Sequence, residues 1–492
     1  MIGSFSAGSN VTGIISPVRS ICKLLHQFGA YAFFDYAGVG AYVKVDIKGD
    51  DSDGSSSMDA AFFSPHKFIG GPGSSGLLIA RNELFHKAFD IETSKASTPG
   101  GGTIDFVSRR NHIYSRDIEY REDAGTPGIL QAIKAGLAFK VKKMVGVKTI
   151  EKLEHVHCTL ALNAWKSNPH IALMGADRVS YQFATRRILL FSFNLLSPIP
   201  TMQVAGPRTR SPESIAAPEA TDSSPRASIA ANLAHYTNVG NVEAASSNIP
   251  LHRNFVIALH NDIYGIQGRG GCSCAGPYGN DLFGLSSLSN EEHGYYTDLF
   301  TTPPVFKVGW ARVNFNYFVS QHVVWFIIEA VKQIAQNGWR LLPQYVQDLK
   351  SGPFIHRSLF DADGKKLEAS QDYILFSIND LALSNDTKAA RGDGMGVRVA
   401  FRKPDFVVGE RSRTNYRTVL VDAKTIYKQA STDAKKGGVV RDFVADLSSE
   451  INPGDIWWLL PTQAAAFFDN RQAQVVDPAY ATTDTPTKAP LG

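Results

Sequence analysis

The stretch "SPVRSICKLLHQFGAYAFFD", residues 16–35, constrains the fold more than any other. Ser16 followed by Pro17 is helix-start chemistry, an N-cap residue with proline at the first helical position. Val18, Ile21, Leu24, Leu25 and Phe28 then recur at helical spacing. Gly29 can close the helix in the left-handed conformation, and "AYAFFD" (30–35) is apolar and β-rich. Residues 2–6 form a strand ahead of the turn "AGSNVTG", so the segment predicts a βαβ unit, hence parallel strands and an α/β fold. In such a sheet, ligands gather at the carboxyl ends of the strands, and Asp35 is last in its strand.

Residues 59–64 resume as a strand that runs toward Lys67, "GGPGSSG" breaks it, and "LLIAR" (77–81) is a further short strand. Residues 126–146, opened by Thr126 and Pro127, and 149–164 read as helices, order resumes at 251–266, and about 320–336 reads as a strong helix. The chain has 492 residues, 43% apolar and 20% charged, enough for one large core and a second lobe. Its net charge of +4 implies no nucleic-acid or membrane partner. Its longest apolar runs are too short to span a bilayer, and its four cysteines, Cys22, Cys158, Cys272 and Cys274, suit neither a disulfide framework nor a zinc site. A reducing, cytoplasmic location is the default expectation, and no metal site is expected.

Lysine beside a glycine-rich turn, with an acid at a neighbouring strand end, is a pattern that pyridoxal phosphate chemistry uses. The amine forms a Schiff base, a carboxylate holds the ring nitrogen protonated, and hydroxyls with backbone N–H groups cradle the phosphate. Lys67, Asp35, and Ser64 with His66 are placed for these roles, and an arginine such as Arg312 in "VGWARVNFN" suits a substrate carboxylate.

"SNVTG" (9–13), "SPVRSICKLLHQFGAYAFFDYA" (16–37), "SPHKFIGGPGSSGLL" (64–78) and "AGTPG" (124–128) together resemble the class V aminotransferase and cysteine desulfurase family, over about residues 1–345. The resemblance implies a pyridoxal-phosphate-dependent fold type I large domain, with a mixed, mainly parallel sheet and helices on both faces, plus a smaller α+β domain. It implies Lys67 as the covalent cofactor carrier, Asp35 on the pyridine nitrogen, and Ser64 and His66 on the phosphate. Asn10 would lie near the substrate carboxylate and the cofactor oxygen. Thr103 would reach the phosphate of a partner subunit, so a homodimer is implied. Gly38 stands where the family often has a glutamine that contacts the ring oxygen.

"RGGCSCAGPYG" (269–279) resembles the cysteine loop of the desulfurase branch through Arg269, Cys274, Ala275 and Pro277. That resemblance implies Cys274 as the persulfide carrier, cysteine as the substrate and Arg312 as its carboxylate ligand; Cys272 is either a resolving thiol or a bystander. The other readings are a class V aminotransferase or lyase acting on another amino acid, and a non-catalytic homologue.

The resemblance begins at a mid-domain strand, so the phosphate-gripping turn and the ring-stacking side chain that family members carry earlier have no counterpart here. The expected organisation is a partial cofactor-binding domain over 1–130 and a small domain over 131–196 and 245–345. A disordered insertion is expected over 197–244, a C-terminal extension over 353–476 and a disordered tail over 477–492. Within the extension, strands and turns are expected near 372–424 and a helix near 439–450. "KPDFVV" (403–408) and "VLVDAK" (419–424) resemble the P-D…D-x-K pattern of metal-dependent nucleases, but the pattern is permissive. A charged hairpin with Asp405 and Asp422 at the surface is the reading taken.

Overall fold

The computed structural model describes residues 1–85, 95–175, 187–200, 248–285, 304–347, 352–357, 381–382, 398–399, 411–435, 458–461 and 463–464. Chain contacts divide it into two units. The first comprises Met1–Ala164, Leu173–Ser192 and Arg312–Ser320; the second comprises Trp165–Ala172, Phe193–Ala311 and Gln321–Gly492.

The first unit begins with the expected βαβ motif: β1 (Ile2–Ser6), α1 (Val18–Gln27) and β2 (Tyr31–Asp35), with β1 and β2 parallel. Ser16 does not cap α1. Its hydroxyl donates to the Ser6 carbonyl (2.7 Å), tying the helix start to the end of β1, and Pro17 takes the cap position. Gly29, at φ 63°, ends the helix as expected. β3 (Ala60–Phe63) pairs parallel to β2, and β4 (Leu77–Ala80) pairs antiparallel to β3, giving a mixed sheet in the order β1-β2-β3-β4.

The two faces of this sheet are unequal. Phe34 and Ala61, adjacent in register, are fully buried with Cys22 of α1, Val39 and Met58 in one core. On the other face, Asp35, Phe62 and Leu78 align; Phe62 is 37% and Leu78 50% exposed.

A hairpin of β5 (Ile104–Val107) and β6 (His112–Tyr114) follows, then α2 (Ile118–Glu122), α3 (Ile129–Val145) and α4 (Val147–Trp165). α3 starts three residues after Thr126, because Gly128 rather than Thr126 occupies its cap.

A second sheet has the order β10-β11-β8-β7, with β9 antiparallel to β8. Its strands are β7 (Ile171–Leu173), β8 (Leu190–Pro200), β9 (Asn248–Pro250), β10 (Arg269–Gly271) and β11 (Trp310–Asn314). β8 continues through Pro200, four residues into the segment expected to be disordered; residues 201–247 lie outside the described ones. In the second unit, α5 (Arg253–Tyr264), α6 (Gly276–Leu282) and α7 (Gln321–Asn337) precede a short hairpin of β12 (Tyr345–Gln347) and β13 (Phe354–His356).

One expectation for the extension is overturned. Residues 411–424, including "VLVDAK", belong to a helix, α8 (Arg411–Lys435), instead of strands and turns. Leu420, Ala423, Tyr427 and Ala430 are its buried residues, at helical spacing, and Tyr427 hydrogen-bonds Tyr264 of α5 (3.1 Å). Asp422 is therefore an exposed helix residue and not part of a hairpin, and Asp405 lies outside the described residues, as does 439–450. No helix among the described residues is long and apolar enough to cross a membrane.

Candidate active site

Two adjacent parallel strand ends bring the first candidates together. Asp35 closes β2 and lies opposite Phe62 of β3; two residues beyond Phe62, Ser64 opens the turn that carries His66 and Lys67. The strand ends at Phe63, close to the expected 64, and Lys67 lies beyond it in a single 3₁₀ turn, Pro65–Lys67. Its backbone N–H donates to the Ser64 carbonyl (3.0 Å). Proline at the first turn position fixes φ and sets the end of β3. The turn is then closed from below by Gly71: a Cβ there would lie 1.9 Å from the Pro65 carbonyl oxygen, so only glycine fits. Lys67 and His66 are exposed, and among the described residues the Lys67 amine has no ion pair or hydrogen bond.

The Asp35 carboxylate is exposed and accepts one hydrogen bond, from the Ala37 N–H (2.7 Å), which orients it at the mouth of the sheet. The loop after it is held by Lys142 of α3, which donates to the carbonyls of Gly40 and Val43 (2.5 and 2.6 Å). Burial pushes the Lys142 amine down to about 8. Sequence reasoning did not single out this residue, which lies in the expected helix over 126–146. Lys67 and Lys142 both line a cavity of about 30 Å³ with Tyr42, Phe68 and Tyr317, room for a water molecule but not for a cofactor. A larger group has to approach Lys67 from its exposed side.

Asn10 and Arg312, 302 positions apart, meet: the Arg312 Nη1 donates to the Asn10 carbonyl (3.0 Å). The Asn10 loop is a tight turn in which the Ser9 hydroxyl accepts from the N–H groups of Val11 and Thr12, both at 3.1 Å. Gly38 packs beside it, with its Cβ position 3.6 Å from the Asn10 Cβ. Thr103 is fully buried and its hydroxyl donates to the Gly100 carbonyl of its own turn (2.7 Å), so it presents no donor at the surface.

In the second unit, Cys274 is exposed and Cys272 half-buried, both as free thiols. Arg269 Nη2 lies 3.9 Å from the Cys274 sulfur, a contact that the spacing of the motif had not revealed.

The donor set at Lys67 fits an aldehyde cofactor with a ring nitrogen and a phosphate. It comprises an amine unpartnered among the described residues, an oriented exposed carboxylate, and a hydroxyl with an imidazole on one turn.

Residues 2–202 match the family model described as aminotransferase class-V. Among curated proteins, the chain is 31% identical over 155 residues to a probable cysteine desulfurase of Halalkalibacterium halodurans, covering 32% of this chain and 35% of that protein. It is 31% identical over 178 residues to a probable cysteine desulfurase of Aeropyrum pernix, covering 35% of this chain and 40% of the other. The chain thus spans 35 to 40% of the length of these curated relatives. Among solved structures, the apo cysteine desulfurase of Thermococcus onnurineus NA1 aligns with TM-score 0.44 and 20% identity, over 68% of this chain and 60% of that one.

Proposed function

We propose that this chain, whose residues 2–202 match the aminotransferase class-V model, belongs to that family, binds pyridoxal 5'-phosphate through Lys67 and takes sulfur from cysteine onto Cys274. The observation that carries this reading is the juxtaposition of Asp35 with the Ser64–Lys67 turn at adjacent parallel strand ends, with the Lys67 amine unpartnered among the described residues. The similarity to probable cysteine desulfurases supports the choice of substrate.

When bound, the cofactor supplies an electron sink that labilises bonds at a substrate's α-carbon. The chain's own residues would do the following. Lys67 anchors the aldehyde covalently and, once displaced by substrate, is free to carry a proton to or from the substrate carbon. Asp35, steered by the Ala37 N–H, keeps the ring nitrogen protonated, because a carboxylate beside that nitrogen favours its charged form. Ser64 and His66 donate to the phosphate. Arg312, braced on the Asn10 carbonyl, presents its guanidinium to the substrate carboxylate. Cys274 as thiolate attacks the substrate sulfur: the new bond is S–S, the C–S bond breaks, and alanine leaves after the carbon is protonated.

A homodimer is part of this proposal. Ile129, Leu130, Ile133 and Leu137 of α3 are more than half exposed, an apolar surface suited to a second copy, and sedimentation of the purified chain tests it.

The function is tested by supplying the chain with pyridoxal phosphate and L-cysteine, and measuring alanine and the mass of the Cys274 peptide. The expected result is alanine release with one extra sulfur on Cys274. Alanine without modification of Cys274 removes the persulfide assignment, and no alanine at all removes the activity.

A further inference from the structure

Cys272 and Cys274 share one turn. After β10, the Ala275 N–H donates to the Cys272 carbonyl (3.0 Å), closing a four-residue turn over 272–275. Its central residues, Ser273 and Cys274, have φ of 55° and 63°. These left-handed values mark the type I′ turn, whose central positions are ordinarily glycine, asparagine or aspartate. Folding back at Ser273 brings the Cα atoms of Cys272 and Cys274 to about 5.5 Å, since two 3.8 Å Cα–Cα steps meet at a sharp angle, and disulfides span such a separation.

A guanidinium lies beside the exposed sulfur. Arg269 Nη2 lies 3.9 Å from the Cys274 sulfur, and the buried Arg253 interacts electrostatically with Cys272. Access divides the pair: Cys274 is exposed and can meet an incoming sulfur, while Cys272 is half-buried behind it on the same turn.

We propose that Cys272 is the resolving thiol for Cys274. The Cys272 thiolate attacks the inner sulfur of a Cys274 persulfide; the persulfide S–S bond breaks and the outer sulfur leaves as HS⁻ with the bonding pair. A Cys272–Cys274 disulfide forms. Cys272 is oxidised and the departing sulfur is reduced, so the step consumes no outside oxidant. The product is inorganic sulfide, and an external dithiol must reduce the disulfide before the next cycle. The role rests on reading Cys274 as a sulfur carrier.

The test loads Cys274 on the full chain directly with inorganic polysulfide, which bypasses cofactor chemistry, then removes excess reagent. Released sulfide and the alkylated peptide mass are followed with time. Wild type is expected to release sulfide and yield a peptide two hydrogens lighter than the dithiol form. Cys272→Ser is expected to hold its persulfide about tenfold longer or more. An equal persulfide lifetime in Cys272→Ser, or a wild-type chain that keeps its persulfide, overturns the proposal. Resolution of the polysulfide-loaded chain, together with no Cys274 persulfide from L-cysteine and cofactor, upholds Cys272 and removes the desulfurase reading alone.

Discussion

The lysine turn at 65–67 and the cysteine turn at 272–275 are of similar size, yet they hold their reactive atoms by opposite means. The first is relaxed: proline sets its entry, glycine at 71 takes a position where a Cβ cannot fit, and the Lys67 amine has no ion pair or hydrogen bond among the described residues. The second places side-chain-bearing residues, Ser273 and Cys274, at left-handed φ. Such conformations cost roughly 1–2 kcal/mol per residue. The lysine turn is held without positive φ at its side-chain-bearing residues, whereas the cysteine turn carries backbone strain at Ser273 and Cys274.

The largest effect separating the two turns should come from Lys67→Ala, which removes the anchor. Alanine release from cysteine is expected to fall on the order of 10³-fold or more, with the second unit's thiols still fully alkylatable. Cys274→Ser should abolish the persulfide while cofactor capture at Lys67 is unchanged, as read by peptide mass. If both functions were lost together in either variant, the two turns would not be separable.

Gly71→Ala attacks the relaxed turn through its backbone. The added methyl meets the Pro65 carbonyl, and a loss of roughly 1–3 kcal/mol is expected in denaturant titration, with weaker cofactor capture. Ser273→Gly, the matching change in the strained turn, should instead stabilise the chain by about 1 kcal/mol. An equal sign for both variants would contradict the contrast.

The smaller predicted effects are in pH dependence. Burial raises the Glu154 carboxyl from 4.5 to about 8 and lowers the Lys142 amine from 10.5 to about 8. Between pH 4.5 and 8 the folded chain holds a proton on Glu154 that the unfolded chain has lost, so this group's stabilising share falls as pH rises. Between about 8 and 10.5 the unfolded chain holds the extra proton on Lys142, so stability rises with pH. Urea midpoints across that range should show a shallow minimum near pH 8. Glu154→Gln should flatten the acid limb and leave the alkaline limb.

The βαβ start was legible because its signals are local: apolar spacing in residues 18–28, Gly29, and a β-rich run ending at Asp35. The exclusion of strands from 411–424 was not read, although Leu420, Ala423, Tyr427 and Ala430 carry a helical period. The β-branched residues at 418, 419 and 421 outweighed it, and tertiary packing against Tyr264 and Gln333 settles the helix. At the site, residue types marked Lys67 and Asp35, but the Arg312–Asn10 contact spans most of the chain and no local pattern encodes it. Lys142 is invisible for a similar reason: its burial depends on two carbonyls about a hundred residues away.

The central claim is that the Lys67 amine is the covalent carrier. The full chain is incubated with pyridoxal phosphate, reduced with borohydride, digested and mapped by mass. One pyridoxyl group on the peptide containing Lys67, absent in Lys67→Ala, is the predicted result. An unlabelled Lys67 peptide, or label distributed over surface lysines at equal yield, would contradict the account.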